Sequence, residues 1–175
     1  MNRILPTLLV AALAVAPVAA LAGPLQDGSA AYSQGNYAEA MHILLPVAQQ
    51  GNASAQVIVG GMYAQGQGVA VDNAQALHFF RLAAEQGSAA GQGAMGFMYE
   101  TGAGVAVDYA EALRWFRLGA AQGDDNDQYA VGEMYENGKG VTADKAEALR
   151  WYQLSAAKGD ADAIKSVQRL TAAGK

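Results

Sequence analysis

Residues 99–123 read YETGAGVAVDYAEALRWFRLGAAQG, and the same pattern stands 36 residues earlier and 36 residues later. Residues 63–87 are YAQGQGVAVDNAQALHFFRLAAEQG and residues 135–159 are YENGKGVTADKAEALRWYQLSAAKG. No insertion separates the copies. A fixed period of this size marks a solenoid, in which each unit buries its apolar face against its neighbours and has no core of its own.

Within one copy the local chemistry predicts helix, loop, helix. The first helix, helix A, carries small and apolar residues at helical spacing, such as Gly91, Met95, Met98 and Tyr99. Gly66, Gly102 and Gly138 stop it, because glycine takes the left-handed conformation that closes a helix end. A second glycine (Gly68, Gly104, Gly140) and an apolar pair such as Val105 and Val107 carry the chain back. Helix B opens at Asp72, Asp108 and Asp144, followed three residues later by Gln75, Glu111 and Glu147, as in a capping box. Asn36 with Glu39 repeats that pattern, and Gly51, Gly87, Gly123 and Gly159 close helix B. The expected core holds Leu77, Leu113 and Leu149, the pairs Phe79-Phe80, Trp115-Phe116 and Trp151-Tyr152, and Leu82, Leu118 and Leu154. Ala74, Ala110 and Ala146, with Gly60, Gly96 and Gly132, are small where helix backbones come close.

Outward from the repeats, the chain divides simply. Residues 1–22 read as a secretory signal: Arg3 near the start, an apolar run from Ile4 to Ala16, and a small-x-small cleavage site at Ala20-Leu21-Ala22. The run approaches the minimum length of a membrane span. Pro6, Pro17 and the cleavage site favour removal, with no stable membrane anchor left afterwards. Residues 23–51 are an atypical first repeat with a shorter turn at Gly35-Asn36, and its first helix is expected over Leu25 to Gln34. Full repeats occupy 52–87, 88–123 and 124–159. Residues 160–175 supply a capping helix whose Lys165, Gln168 and Arg169 face water.

The chain has 175 residues, no cysteine and a formal net charge of −5. No Lys or Arg lies between Gly23 and Phe80. An acidic chain of this kind lacks the basic face that nucleic acid or an anionic membrane surface demands. An exported chain without cysteine is held together by helix packing alone.

The residues above, read as G-x-G-V-x-x-D-x-x-x-A-L-x-W-[FY]-x-L-A-A-x-x-G, resemble the Sel-one-like repeat (SLR), a relative of the tetratricopeptide repeat. The resemblance covers Asn52 to Gly159 in full. Phe79 stands in place of the tryptophan in the first full repeat, and Gly119 and Ser155 in place of an alanine. It implies an all-α, right-handed α/α superhelical solenoid whose inner surface binds other proteins or peptides, with periplasmic or secreted location set by the signal. One exported branch of the family is linked to β-lactam binding or hydrolysis, but that branch is cysteine-rich.

Catalytic and metal chemistry have little to stand on. His42 and His78 occupy one repeat position that Arg114 and Arg150 continue, which describes a solvated stripe on helix B better than a metal site. Asp72, Asp108 and Asp144 are explained by capping. The Gly-x-Gly turns lack the flanking strand and Gly-Lys-Ser/Thr of a phosphate loop. No nucleophile paired with a general base, no cofactor motif and no metal set is found, so a non-enzymatic scaffold is expected, with a cell-wall or β-lactam-directed hydrolase as the alternative. Binding residues are sought where the copies differ. On helix A those positions are Val57, Gly61 and Ala64, then Gly93, Phe97 and Glu100, then Tyr129, Glu133 and Glu136. Spacing of four then three puts each trio on one face, opposite Met62, Met98 and Met134. Phe97, Glu100, Tyr129, Glu133 and Glu136 are the expected protein-binding residues, taking an apolar group at Phe97 or Tyr129 and a basic group at Glu133 and Glu136.

Overall fold

The computed structural model describes residues 22–173. The described residues form nine α-helices: α1 (Ala22–Ser33), α2 (Tyr37–Gln49), α3 (Ala53–Gln65), α4 (Asn73–Glu85), α5 (Ala89–Thr101), α6 (Tyr109–Ala121), α7 (Asp125–Asn137), α8 (Lys145–Ala156) and α9 (Ala161–Ala173). The odd-numbered helices are the A helices and the even-numbered ones the B helices. The signal expected over residues 1–22 lies outside the described residues except for Ala22, which opens α1 three residues before the expected start. All extensive contacts join helices adjacent in sequence, and α3 also touches α5. That is the quasi-linear packing of a solenoid.

Helix ends follow from a few residues. Gly66, Gly102 and Gly138 have φ of +71°, +75° and +67°, and the next N–H donates back to the carbonyl of Met62, Met98 or Met134. The glycine's own N–H donates to the same carbonyl, so one free carbonyl at the end of helix A accepts twice in a Schellman-like turn. At helix B the carboxylates of Asp72, Asp108 and Asp144 each accept two backbone N–H bonds at 2.9–3.0 Å. Such a cap contributes about 1 kcal/mol.

The capping box is only half made. The N–H groups of Asp72, Asp108 and Asp144 donate to the carbonyls of Tyr63, Tyr99 and Tyr135 at 2.8–3.0 Å, tying helix B to helix A across the loop. Glu111 and Glu147 are thereby released and pair with Arg114 and Arg150. Asn36 makes no side-chain cap at all. Its shorter turn sends its N–H to Ala31, and its φ of −78° departs from the −144° that aims the aspartates over their helices.

Gly68, Gly104 and Gly140 also have positive φ, and each lies on the first turn of the preceding repeat's helix B. A Cβ on Gly104 would stand 2.6 Å from the carbonyl oxygen of Asn73. Two requirements therefore coincide at this glycine, one of conformation and one of space.

The core departs from expectation in two respects. Gly60, Gly96 and Gly132 make room chiefly for aromatic rings: a Cβ there would stand 2.6–2.8 Å from ring carbons of Phe80, Phe116 and Tyr152. Leu118 and Leu154 are not core residues, being 41% and 50% exposed, while Leu82 is half-buried against the first core cluster. At about 100° per residue this row sits roughly 120° round the helix from Ala76, Phe80 and Ala83, off the buried arc.

Candidate functional site

Of the five expected binding residues, Phe97 stands apart. Its side chain on α5 is 57% exposed at the edge of an apolar groove of about 410 Å³. The groove runs between α3 and α5, with Gly61, Ala64, Phe80, Ala94 and Met98 in its walls. Small residues on α3 create the space, and a phenyl ring left in water beside it is an apolar surface without a partner.

The other four are drawn into contacts of their own. Glu100 on α5 pairs with Lys139 at 2.8 Å. Tyr129 packs its ring on Tyr152, centroids 5.3 Å apart, and donates its hydroxyl to Glu133 at 3.3 Å. Glu136 accepts from both arms of Arg169 on α9, at 2.5 and 2.8 Å, and from the Tyr152 hydroxyl at 2.9 Å. The Arg169 guanidinium holds the Glu136 carboxyl below the usual carboxylate range. These bonds link α5 to the loop after α7, and α7 to α8 and α9. Glu133 has its residue surface exposed, while burial of its carboxyl group holds that carboxyl above the usual carboxylate range.

A second cluster was not expected. Asp127, in the first turn of α7, is 4% exposed, and its Oδ2 has no hydrogen-bond partner among the described residues. Its carboxyl occupies space left by two glycines. A Cβ on Gly119 would overlap Oδ2, and one on Gly93 would stand 2.5 Å from Oδ1. One repeat earlier the equivalent pair is Ala83 and Gly91, again one larger residue facing one glycine. Beside Asp127 lies a cleft of about 260 Å³ between α5 and the start of α7.

Burial, helped by the charge of Asp124, pushes the Asp127 carboxyl from 3.8 up to about 7. Between pH 4 and 7 the unfolded chain releases this proton while the folded chain keeps it, so stability falls as pH rises and levels off above about 7. The loss is at most about 4 kcal/mol. Asp127→Asn should therefore melt several degrees higher than the parent chain above neutrality and flatten the slope of melting temperature against pH in that window. An unchanged slope would show that Asp127 ionises normally.

Comparison with known proteins places this geometry. The Sel1 repeat matches residues 53–88, 89–124 and 127–160, more than half of the chain. The chain belongs to the Sel1 repeat family. Its structure superposes on the crystal structure of a Sel1 repeat protein from Oxalobacter formigenes with a TM-score of 0.81 and 32% identity, over 86% of this chain and 62% of that one. A protective antigen present in uropathogenic Escherichia coli strains, displaying an SLR fold, gives 0.83 and 36% over 88% of this chain and 34% of that one. The chain thus spans about a third to under two thirds of the length of these two. Helicobacter pylori cysteine rich protein B, at 19% identity and a TM-score of 0.55, shares the fold alone. No curated protein matches the sequence. The right-handed α/α solenoid implied by the repeat is the architecture of this chain.

Within the Sel1 repeats, one further feature escapes a reading by motif. Gln56, Gln92 and Gln128 are buried and donate to the carbonyls of Ala48, Ala84 and Ala120 at 3.1–3.3 Å. Gln86 and Gln122 in turn donate to Gln56 and Gln92 at 2.7 Å, forming a polar spine inside the stack. Their spacing of 36 residues was the available signal. The expectation that no Ser-x-x-Lys motif is present is corrected by Ser155 and Lys158, which have that spacing. Ser155 is fully buried and donates to Asp160 at 2.9 Å, while Lys158 turns to the carbonyl of Gly123. The two side chains do not form a nucleophile and base pair.

Proposed function

We propose that this chain is an exported, non-catalytic scaffold that holds a protein or peptide against its helix-A face. The groove at Phe97 carries the proposal, because an exposed phenyl ring beside an apolar hollow is the form that a buried anchor pocket takes in a protein interface. The Sel1 repeat fold, commonly a protein–protein interaction scaffold, supports it. Glu133, Glu100, Tyr129 and Glu136 extend the proposed face toward α9, with Glu133 as the carboxylate open to a basic group. The acidic net charge speaks for a protein and against nucleic acid. Location in the periplasm or outside the cell, reached by cleavage after Ala22, rests on the signal-like residues 1–22.

Capture of envelope proteins on the chain recovered from its producing cells tests this reading. Intact mass of the bait reports whether it begins at Gly23. A partner held by the parent chain should be weakened about tenfold or more by Phe97→Ala, and less by Tyr129→Ala, whose ring is partly spent on Tyr152. A partner held equally by both variants would move the site elsewhere. Hydrolysis has less support, since the Ser155 hydroxyl is sealed from any substrate carbonyl.

A further inference from the structure

We infer that the cleft at Asp127 is a socket for the ammonium end of a lysine side chain presented by the bound peptide. This rests on the peptide-binding reading above and names the chemistry of a second contact. The cleft is walled by Ala89, Ala90 and Ala94 on α5, and Asp124 and Asp127 stand at its α7 side. Alanine methyls suit an aliphatic stem, and a carboxylate at the end suits a cation. Asp127 is buried and pairs with no cation; its Oδ1, beside Gly93, is the oxygen that a donor entering the cleft would reach, while Oδ2 stays unpartnered against Gly119.

The geometry separates lysine from arginine. A guanidinium fork seeks both oxygens of a carboxylate. Here Oδ2 is sealed against Gly119, and Oδ1 lies at Gly93 on the cleft wall. One accessible oxygen matches a compact ammonium. Ala94 also lines the apolar groove at Phe97, so the two hollows are adjacent along α5. A partner would seat an apolar side chain in one and a lysine in the other.

The test uses two probes, n-butylammonium and lysine blocked at its α-amine and carboxyl, titrated into the isotope-labelled chain while amide resonances are followed. Both should shift Ala89, Ala90, Gly93 and Asp127 with millimolar saturation, whereas n-butanol should not. Asp127→Asn should weaken both probes about tenfold, and Gly93→Ala, which narrows the approach to Oδ1, should weaken them independently. Phe97→Ala should leave probe binding intact, so failure of the socket and failure of the scaffold reading are told apart. Unaltered binding in Asp127→Asn would overturn the inference. So would the same shifts produced by calcium in place of the amines. Binding of butylammonium with exclusion of blocked lysine would replace the peptide side chain by a free amine.

Discussion

Gly104→Ala should lower the melting temperature by about 10 °C. An alanine held at φ of +74° costs about 1–2 kcal/mol. Its Cβ would also meet the Asn73 carbonyl at 2.6 Å, and that carbonyl belongs to helix backbone that cannot swing aside. Overpacking of this kind adds about 1–3 kcal/mol. For a chain of this length each kcal/mol shifts melting by about 2–4 °C. Gly23→Ala is the control, because nothing lies within 4 Å of a Cβ there and its φ is not positive. Equal melting of the two variants would mean that the joint between α4 and the next repeat's loop does not carry stability. A broadened transition is also expected, since loosening one joint uncouples the repeats on either side.

Gly119→Ala should destabilise comparably, by about 3 kcal/mol, for a different reason. No strained dihedral is involved. The new methyl would collide with the buried Asp127 carboxyl, which has nowhere to go without becoming an unpaired charge in a smaller space. The preceding repeat suggests the remedy. Ala83 faces Gly91, and a Cβ on Gly91 would stand 2.8 Å from the Ala83 methyl. Gly119→Ala with Asp127→Gly should therefore return to within about 1 kcal/mol of the parent chain, a coupling of about 2 kcal/mol between the sites. The combination with Asp127→Ala should recover less, because two facing methyls remain too close. Additive losses in denaturant unfolding would show that the pair is not interdependent.

Much of this arrangement could be read from the residues. The glycines at 66, 102 and 138 announce helix ends because few other residues adopt positive φ, and the Met62, Met98 and Met134 row is buried as its spacing requires. The reciprocal capping box was misread because an aspartate N–H looks free on paper. Only the folded loop brings the carbonyls of Tyr63, Tyr99 and Tyr135 within reach. The candidate site was less legible. Glu100 and Glu136 look equally free in the sequence, yet their partners arrive from the next unit along, Lys139 from the following repeat and Arg169 from the capping helix. Asp127 was hidden by its own position. In a helix's first turn an aspartate reads as a solvated charge, and its burial depends on two glycines, Gly93 and Gly119, contributed by two other helices.

The joint at Gly68, Gly104 and Gly140 has a consequence for how such a chain diversifies. Each glycine rests on backbone atoms, and the residues contributing those atoms are Tyr37, Asn73 and Tyr109. An aromatic side chain and a short amide serve the same contact, because no side chain is read there. At this joint successive units meet through the peptide group, which side-chain substitution does not alter. Units that differ in side chain at this position still couple there. Their exposed faces are then free to drift toward different partners while the coupling stays constant.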